Sequence, residues 1–229
     1  MKFIVIGLGN LGASLGVILT EEGHEVIGVD ASVELVNALQ GQITHTIAMD
    51  TTDEGAIRHL PLEDADHVIV TIGEDVGASI MTVAILKKYN ARRIIGRAIS
   101  DLHQTVLEAM GIDEIIHPES DYAHRLANRF MIKGALDAYN LGDSFEIVEI
   151  AVPPKMVGKT ILEAAFRQRF QVNVVTISRK STRRALLGNN KPLREIIGVV
   201  NPNTIMEEDD VLVLFGKITD IERVTSGTD

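Results

Sequence analysis

Residues 3–12 read FIVIGLGNLG, and this stretch decides the fold. An apolar run, Phe3 to Ile6, stops at Gly7, and Gly9 and Gly12 complete a G-x-G-x-x-G spacing. Such a spacing alone is weak, but its surroundings make it specific. It follows a strand-like run and opens a helix-like segment, Leu11–Glu22, and Asp30 closes the next strand-like run, EVIGVD at 25–30. In a strand–turn–helix unit of this type the first glycine makes the tight turn. The second lets the backbone approach a phosphate, and the third lets helix and strand pack closely. Free N–H groups at the helix start form an anion site, and an acid ending the second strand takes a ribose hydroxyl. Gly7, Gly9 and Gly12, the Asn10 and Leu11 backbone, and Asp30 with Ala31 and Ser32 form the candidate phosphate and ribose site. The acid favours an unphosphorylated 2′-hydroxyl, hence NAD, ATP, ADP or AMP rather than NADP.

Outward from this turn the pattern keeps a regular beat. Strand-like runs at 2–7, 25–30, 45–50, 67–72, 93–98 and 114–118 alternate with helix-like segments at 11–22, 33–39, 52–60, 77–89 and 102–110. Strands apolar on both faces, alternating with helices, specify an α/β fold with a parallel sheet covered on both sides. Right-handed crossovers make it a Rossmann-type doubly wound sheet. Ligands of such folds sit at the carboxyl ends of the strands. Met49 and Asp50, then Thr71, Ile72 and Gly73, then Arg97, and finally Glu119 fall there and join the candidate set. Arg97 is either a phosphate partner or a surface arginine paired with a carboxylate. Glu119 is either a ligand for a divalent cation beside phosphate oxygens or a first-turn acid favoured by the helix dipole.

Residues 119–139 read as one long helix with Ala123, Leu126, Ala127, Phe130 and Met131 at helical spacing. NLGD at 140–143 reads as a boundary, and the style then changes. FEIVEIAV at 145–152, VNVVTISR at 172–179 and DDVLVLFG at 209–216 read as strands. A helix from the GKTILEAAFRQRF stretch and a closing one at 218–224 accompany them. The expected organisation is a nucleotide-binding domain at 1–118, a crossing helix and linker at 119–142, and a small α+β domain at 143–229. GKT at 158–160 is not the end of a phosphate loop, because the required glycine five residues earlier is Pro153.

The chain has 229 residues, no cysteine and a formal charge of −10. That charge argues against a general nucleic-acid binder, and the absence of cysteine removes thiol nucleophiles and cysteine metal sites and fits a reducing cytoplasm. Residues 1–140 hold 10 Lys+Arg against 20 Asp+Glu, whereas residues 141–229 hold 12 of each. No run approaches the roughly 20 apolar residues that span a bilayer, and MKFIVIGLGN does not read as a signal peptide. One functional reading is an NAD-dependent oxidoreductase, which needs a proton-transfer group beside the nicotinamide. Neither Tyr89, Tyr122 nor Tyr139 has a lysine four residues later, and all seven histidines precede residue 125. The sequence therefore reads as a cofactor fold without a catalytic partner.

Three stretches carry a resemblance: KFIVIGLGNLGASLGVILTEEGHEVIGVD, DHVIVTIGEDVGASIMTVAILKK and EAMGIDEIIHPESDYAHRLA. With EIVEIAVPPKMVGKTILEA, VNVVTISR and NPNTIMEEDDVLVLFG behind them, the chain resembles the regulator-of-potassium-conductance family (RCK or KTN, TrkA-type) along nearly its whole length. The resemblance implies a cytoplasmic gating subunit of a Trk- or Ktr-type potassium uptake system. Such subunits pair through the crossing helix, assemble as an octameric ring, and dock at the inner face of the membrane under a channel or transporter subunit. ATP, ADP or NAD(H) in the Rossmann crevice would reshape the ring and so control potassium flux. Gly7, Gly9, Gly12 and Asp30 match the family's phosphate and ribose positions, and Glu119 matches a glutamate that joins a divalent cation at the ATP phosphates. Asn10 departs from an arginine common in Ktr-type members, which weakens the expectation of ATP-over-ADP discrimination and leaves NAD(H) open.

In the last third, Arg167, Arg169, Arg179, Lys180, Arg183 and Arg184 fall within one stretch that contains no acid. This is either an anion-binding patch or a basic face that is solvated or meets the acidic N-terminal part of the chain. Arg167 and Asn173 match positions through which some family members bind cyclic di-AMP.

Overall fold

The computed structural model describes residues 1–181 and 194–226. They divide into two compact units, Met1–Pro118 and Glu119–Asp229. In the first unit, β1 (Lys2–Ile6), β2 (Glu25–Asp30), β3 (His45–Ala48), β4 (His67–Val70), β5 (Ile94–Arg97) and β6 (Glu114–Ile116) form one sheet in the order 3-2-1-4-5-6. All five pairings are parallel; Ile4, for example, faces Ile27 on one side and Val68 on the other. The helices are α1 (Asn10–Glu21), α2 (Val33–Ala38), α3 (Glu54–Ile57), α4 (Val76–Lys88) and α5 (Asp101–Ala109).

The apolar run of β1 divides by strand alternation between two cores. Ile4 and Ile6 join Ile57, Val83, Leu86 and Leu107 of α3, α4 and α5. Phe3 and Val5 join Val36 of α2 and the partly buried Leu15 and Leu19 of α1. A strand buried on both faces has no polar positions, which is why the sequence shows a run rather than an alternation. The helix starts are fixed locally: Ser32, Asp53, Asp75 and Ser100 each accept a backbone N–H at the N-cap of α2, α3, α4 and α5. The Rossmann-type fold expected from the sequence is the fold observed.

The second unit corrects one expectation. The single helix read over residues 119–139 ends at Met131 as α6 (Pro118–Met131), and β7 (Ala135–Gly142) follows. Gly134, at φ +83°, breaks the helix, and Ala138 of β7 lies opposite Val148 of β8 (Phe145–Ala151). NLGD is therefore the tip of a β-hairpin. Asp143 and Ser144 both take positive φ, 50° and 68°, as a two-residue primed turn requires. After a short 3-10 turn (Pro154–Met156), the one helix expected next is two, α7 (Ile161–Ala164) and α8 (Phe166–Phe170), split by Ala165 in the left-handed region. β9 (Asn173–Lys180), β10 (Arg194–Ile196), β11 (Val211–Lys217) and α9 (Ile218–Ser226) complete the described elements. The sheet is antiparallel in the order β10-β9-β11-β8-β7. Its core includes Val148, Ile150, Phe170, Ile177, Leu212, Ile221 and Val224. No residue of α6 is buried; Phe130 and Met131 are 73% and 76% exposed.

Candidate functional site

Gly7 follows β1 with φ +94°, a backbone that side chains rarely adopt, and its N–H donates to the Val29 carbonyl at 2.8 Å. The chain turns here and enters α1. Unlike α2 to α5, α1 begins at a glycine, Gly9, with no side chain capping it. The first N–H bonded within the helix is that of Ala13, to the Gly9 carbonyl at 2.9 Å. The preceding N–H groups, on Asn10, Leu11 and Gly12, are those that α-helix geometry leaves unsatisfied. A Cβ added at Gly9 would meet no atom within 4 Å, so the space before the helix is open. A Cβ at Gly12 would collide with the Gly7 carbonyl oxygen and the Thr71 hydroxyl. The three glycines thus do different work: turn, open approach and close packing.

Asp30 closes β2 beside this turn. Its Oδ2 accepts the Leu8 N–H at 2.6 Å, and its Oδ1 accepts the Ser32 N–H at 2.7 Å. The Asp30 carbonyl accepts the Met49 N–H at 2.8 Å, which ties the end of β3 to the end of β2. Asp50 is exposed; Thr52 donates to its Oδ1 from the hydroxyl at 2.7 Å and from the backbone at 2.8 Å. These bonds, the hydroxyl first, hold the Asp50 carboxyl below the usual range. Thr71 is buried, with its hydroxyl on the Gly7 and Ile6 carbonyls at 2.6 and 3.0 Å. Arg97 donates to the Thr71 carbonyl at 3.4 Å, and its guanidinium lies where a Gly73 side chain would be.

The structure therefore brings Gly7, Gly9, Gly12, Asp30, Met49, Thr71, Ile72, Gly73 and Arg97 to the carboxyl end of one parallel sheet. Ala31 and Ser32 follow Asp30, and the Ser32 hydroxyl caps α2. Glu119 belongs to the second unit, as the second residue of α6, and is exposed. Among the described residues no cluster of three or more His, Cys, Asp or Glu side chains could hold a metal ion. The sequence reading missed Leu8, whose N–H meets Asp30; a residue between two glycines carries no such signal.

In the second unit Arg167 donates through Nε to Asn173 Oδ1. Of the six basic residues, Arg179 and Lys180 meet acids that follow the stretch in sequence. Arg179 binds Asp210 through two nitrogens, at 2.8 and 2.7 Å, and also reaches Glu207. Lys180 lies 3.7 Å from Asp209. Arg183 and Arg184 lie outside the described residues.

A glycine-turned parallel sheet with an acid at the end of β2 defines a Rossmann-type unit, here followed by an antiparallel α+β unit. Residues 3–118 match the TrkA-N domain and residues 145–226 the TrkA-C domain, so the chain belongs to the TrkA family. It is 35% identical over 222 residues to the Ktr system potassium uptake protein C of Bacillus subtilis (strain 168), covering 97% of this chain and 95% of that protein. The crystal structure of the GsuK RCK domain superimposes with a TM-score of 0.63 at 18% identity, a likeness of fold. That match covers 98% of this chain and 47% of the other, so the chain spans about half of it. The NAD(P)-binding domain of an exopolyphosphatase-related protein from Archaeoglobus fulgidus matches at 26% identity with a TM-score of 0.51, covering 56% of this chain and 96% of that one. The resemblance to the potassium-conductance regulators read from the sequence holds over both units.

Proposed function

We propose that this chain is the nucleotide-binding regulatory subunit of a potassium uptake system and that it acts by gating rather than catalysis. The observation that carries the reading is the pairing of a TrkA-N and a TrkA-C domain in one chain that aligns almost end to end with a Ktr potassium uptake protein. The cradle supports the nucleotide: an uncapped helix start, open space at Gly9 and an acid beside the turn suit a phosphate and a ribose. We assign Gly7, Gly9, Asn10, Leu11 and Gly12 to the phosphates and Asp30, Ala31 and Ser32 to the ribose. Met49, Asp50, Thr71, Ile72, Gly73 and Arg97 form the walls. The ligand class is an adenine nucleotide, ATP, ADP or NAD(H). Glu119 is the residue proposed to join a divalent cation that bridges to phosphate oxygens. Arg167 and Asn173 are proposed to take a second ligand of the cyclic di-AMP kind.

The exposed apolar stripe of α6, including Phe130 and Met131, supports self-association. The assembly proposed is a ring of paired chains at the inner face of the membrane, beneath a separate potassium-conducting subunit. A nucleotide can shift such a ring only by its difference in affinity for the two ring shapes. The test is calorimetric titration with ATP, ADP, NAD+ and NADH, with and without Mg2+, alongside ring size by light scattering. Deletion of the chain in its host should lower potassium uptake at low external potassium. Unchanged uptake would overturn the gating role, and turnover of NAD+ with a small alcohol would restore the oxidoreductase reading.

A further inference from the structure

One peptide unit, Gly7–Leu8, is held from both sides. Its carbonyl accepts the Thr71 hydroxyl at 2.6 Å, and its N–H donates to Asp30 Oδ2 at 2.6 Å. The same hydroxyl lies 3.0 Å from the Ile6 carbonyl, and the Thr71 N–H donates to that oxygen at 2.8 Å. Thr71 is 4% exposed and sits directly after β4, so its side chain faces the turn from beneath rather than the opening at Gly9. The missing side chain of Gly12 leaves room for this contact, since a Cβ there would strike both the Gly7 carbonyl and the Thr71 hydroxyl.

Turning that peptide over rotates ψ of Gly7 and φ of Leu8, and the absence of a Cβ at Gly7 eases the first of these rotations. In that alternative the Gly7 carbonyl would turn towards the space where the helix N–H groups lie, and a carbonyl dipole there repels an anion. We infer that Thr71 is a positioning residue for the nucleotide site: its hydroxyl and the Asp30 carboxylate together lock the Gly7–Leu8 peptide with its carbonyl turned away from the phosphate position. This rests on the nucleotide reading of the turn. Thr71 also accepts from Arg97 through its own carbonyl, so the strut joins the ends of β1, β4 and β5.

The test uses the full chain, wild type, Thr71→Val and Thr71→Ser. Valine keeps the shape and removes the donor; serine keeps the donor and removes one methyl. Calorimetry with ATP, ADP, NAD+ and NADH should show affinity falling about tenfold in Thr71→Val, the scale of a lost buried hydrogen bond, and recovering in Thr71→Ser. Amide hydrogen exchange at Leu8, read without ligand, should quicken in Thr71→Val and not in Thr71→Ser. Affinity or Leu8 exchange unchanged in Thr71→Val would overturn the assignment. A serine variant as weak as valine would do the same, since packing would then be the cause. A wild-type chain that binds none of the four nucleotides would overturn the site itself and the role of Thr71 with it.

Discussion

The glycine turn of the first unit and the basic stretch of the second both gather polar groups at a sheet, and they are assembled in opposite ways. At the turn the polar groups belong to the backbone. Side chains such as Asp30 and Thr71 fix its shape, and the N–H groups at the start of α1 stay available. In the second unit the charged groups are side chains, and Arg179 is spent on acids of its own unit: it is held by Asp210 and Glu207 and donates to the Ile205 carbonyl. The first arrangement leaves binding capacity over, whereas the second converts it into stability. A run of like charges in sequence is thus a poor guide to a free surface, because its counter-charges arrive from elsewhere in the chain.

The sharpest way to break this contrast is to remove Arg179. Asp210 is 1% exposed, and its carboxyl lies below the usual range: burial pushes it up, and the Arg179 and Glu207 N–H bonds more than offset that. Arg179→Met would leave a buried carboxylate without its cation and should cost about 3–5 kcal/mol, read as lost thermal stability of the second unit. A small loss would mean that Arg179 was available for an anion after all. In the wild type this stabilisation is present above the ordinary aspartate range and fades as pH falls through the lowered value of Asp210.

The glycine turn can be dissected next. Gly12→Ala sets a Cβ against the Gly7 carbonyl, a backbone atom that cannot swing aside, and should cost about 3 kcal/mol in the first unit. Gly9→Ala meets open space at an ordinary φ of −65°, so stability should change by less than about 0.5 kcal/mol while nucleotide affinity falls. A Gly9 variant that binds normally would show that no ligand approaches the backbone there.

These tests also mark what the sequence made legible. The sheet of the first unit was readable because a doubly covered parallel strand has a local pattern, and the turn because its glycines lie within six residues of one another. What was not readable is long-range. Thr71 meets Gly7 across 64 positions, and Arg179 meets Asp210 across 31. ALDAYNLG lacks alternation and reads as helix as far as Tyr139 and as a boundary beyond it; its partner strand rather than its own pattern holds it extended. Its hairpin turns on Asp143 and Ser144, and Gly142, at φ +95°, precedes the two turn residues instead of occupying one of them.

A smaller effect on stability than those at Arg179 and Gly12 tests the contrast inside the second unit itself. Glu146 in β8 is as buried as Asp210, but among the described residues no cation meets it. Its Oε1 accepts a bond of 3.5 Å from the Asn140 amide, and its Oε2 has no hydrogen-bond partner among the described residues. Burial pushes its carboxyl up, and the Asn140 bond offsets only part of this. The sign is therefore opposite to that of Asp210. The folded chain holds the Glu146 proton more tightly than the unfolded chain, so stability declines as pH rises above the ordinary glutamate range and stays lower beyond the raised value. Glu146→Gln removes the ionisation and should stabilise the unit by about 1 kcal/mol at neutral pH, with the difference vanishing in mild acid. Thermal melts of both chains across that range decide it. A glutamine variant that is less stable at neutral pH would mean that the carboxylate is held ionised by a partner, and Glu146 would then be a compensated buried acid like Asp210.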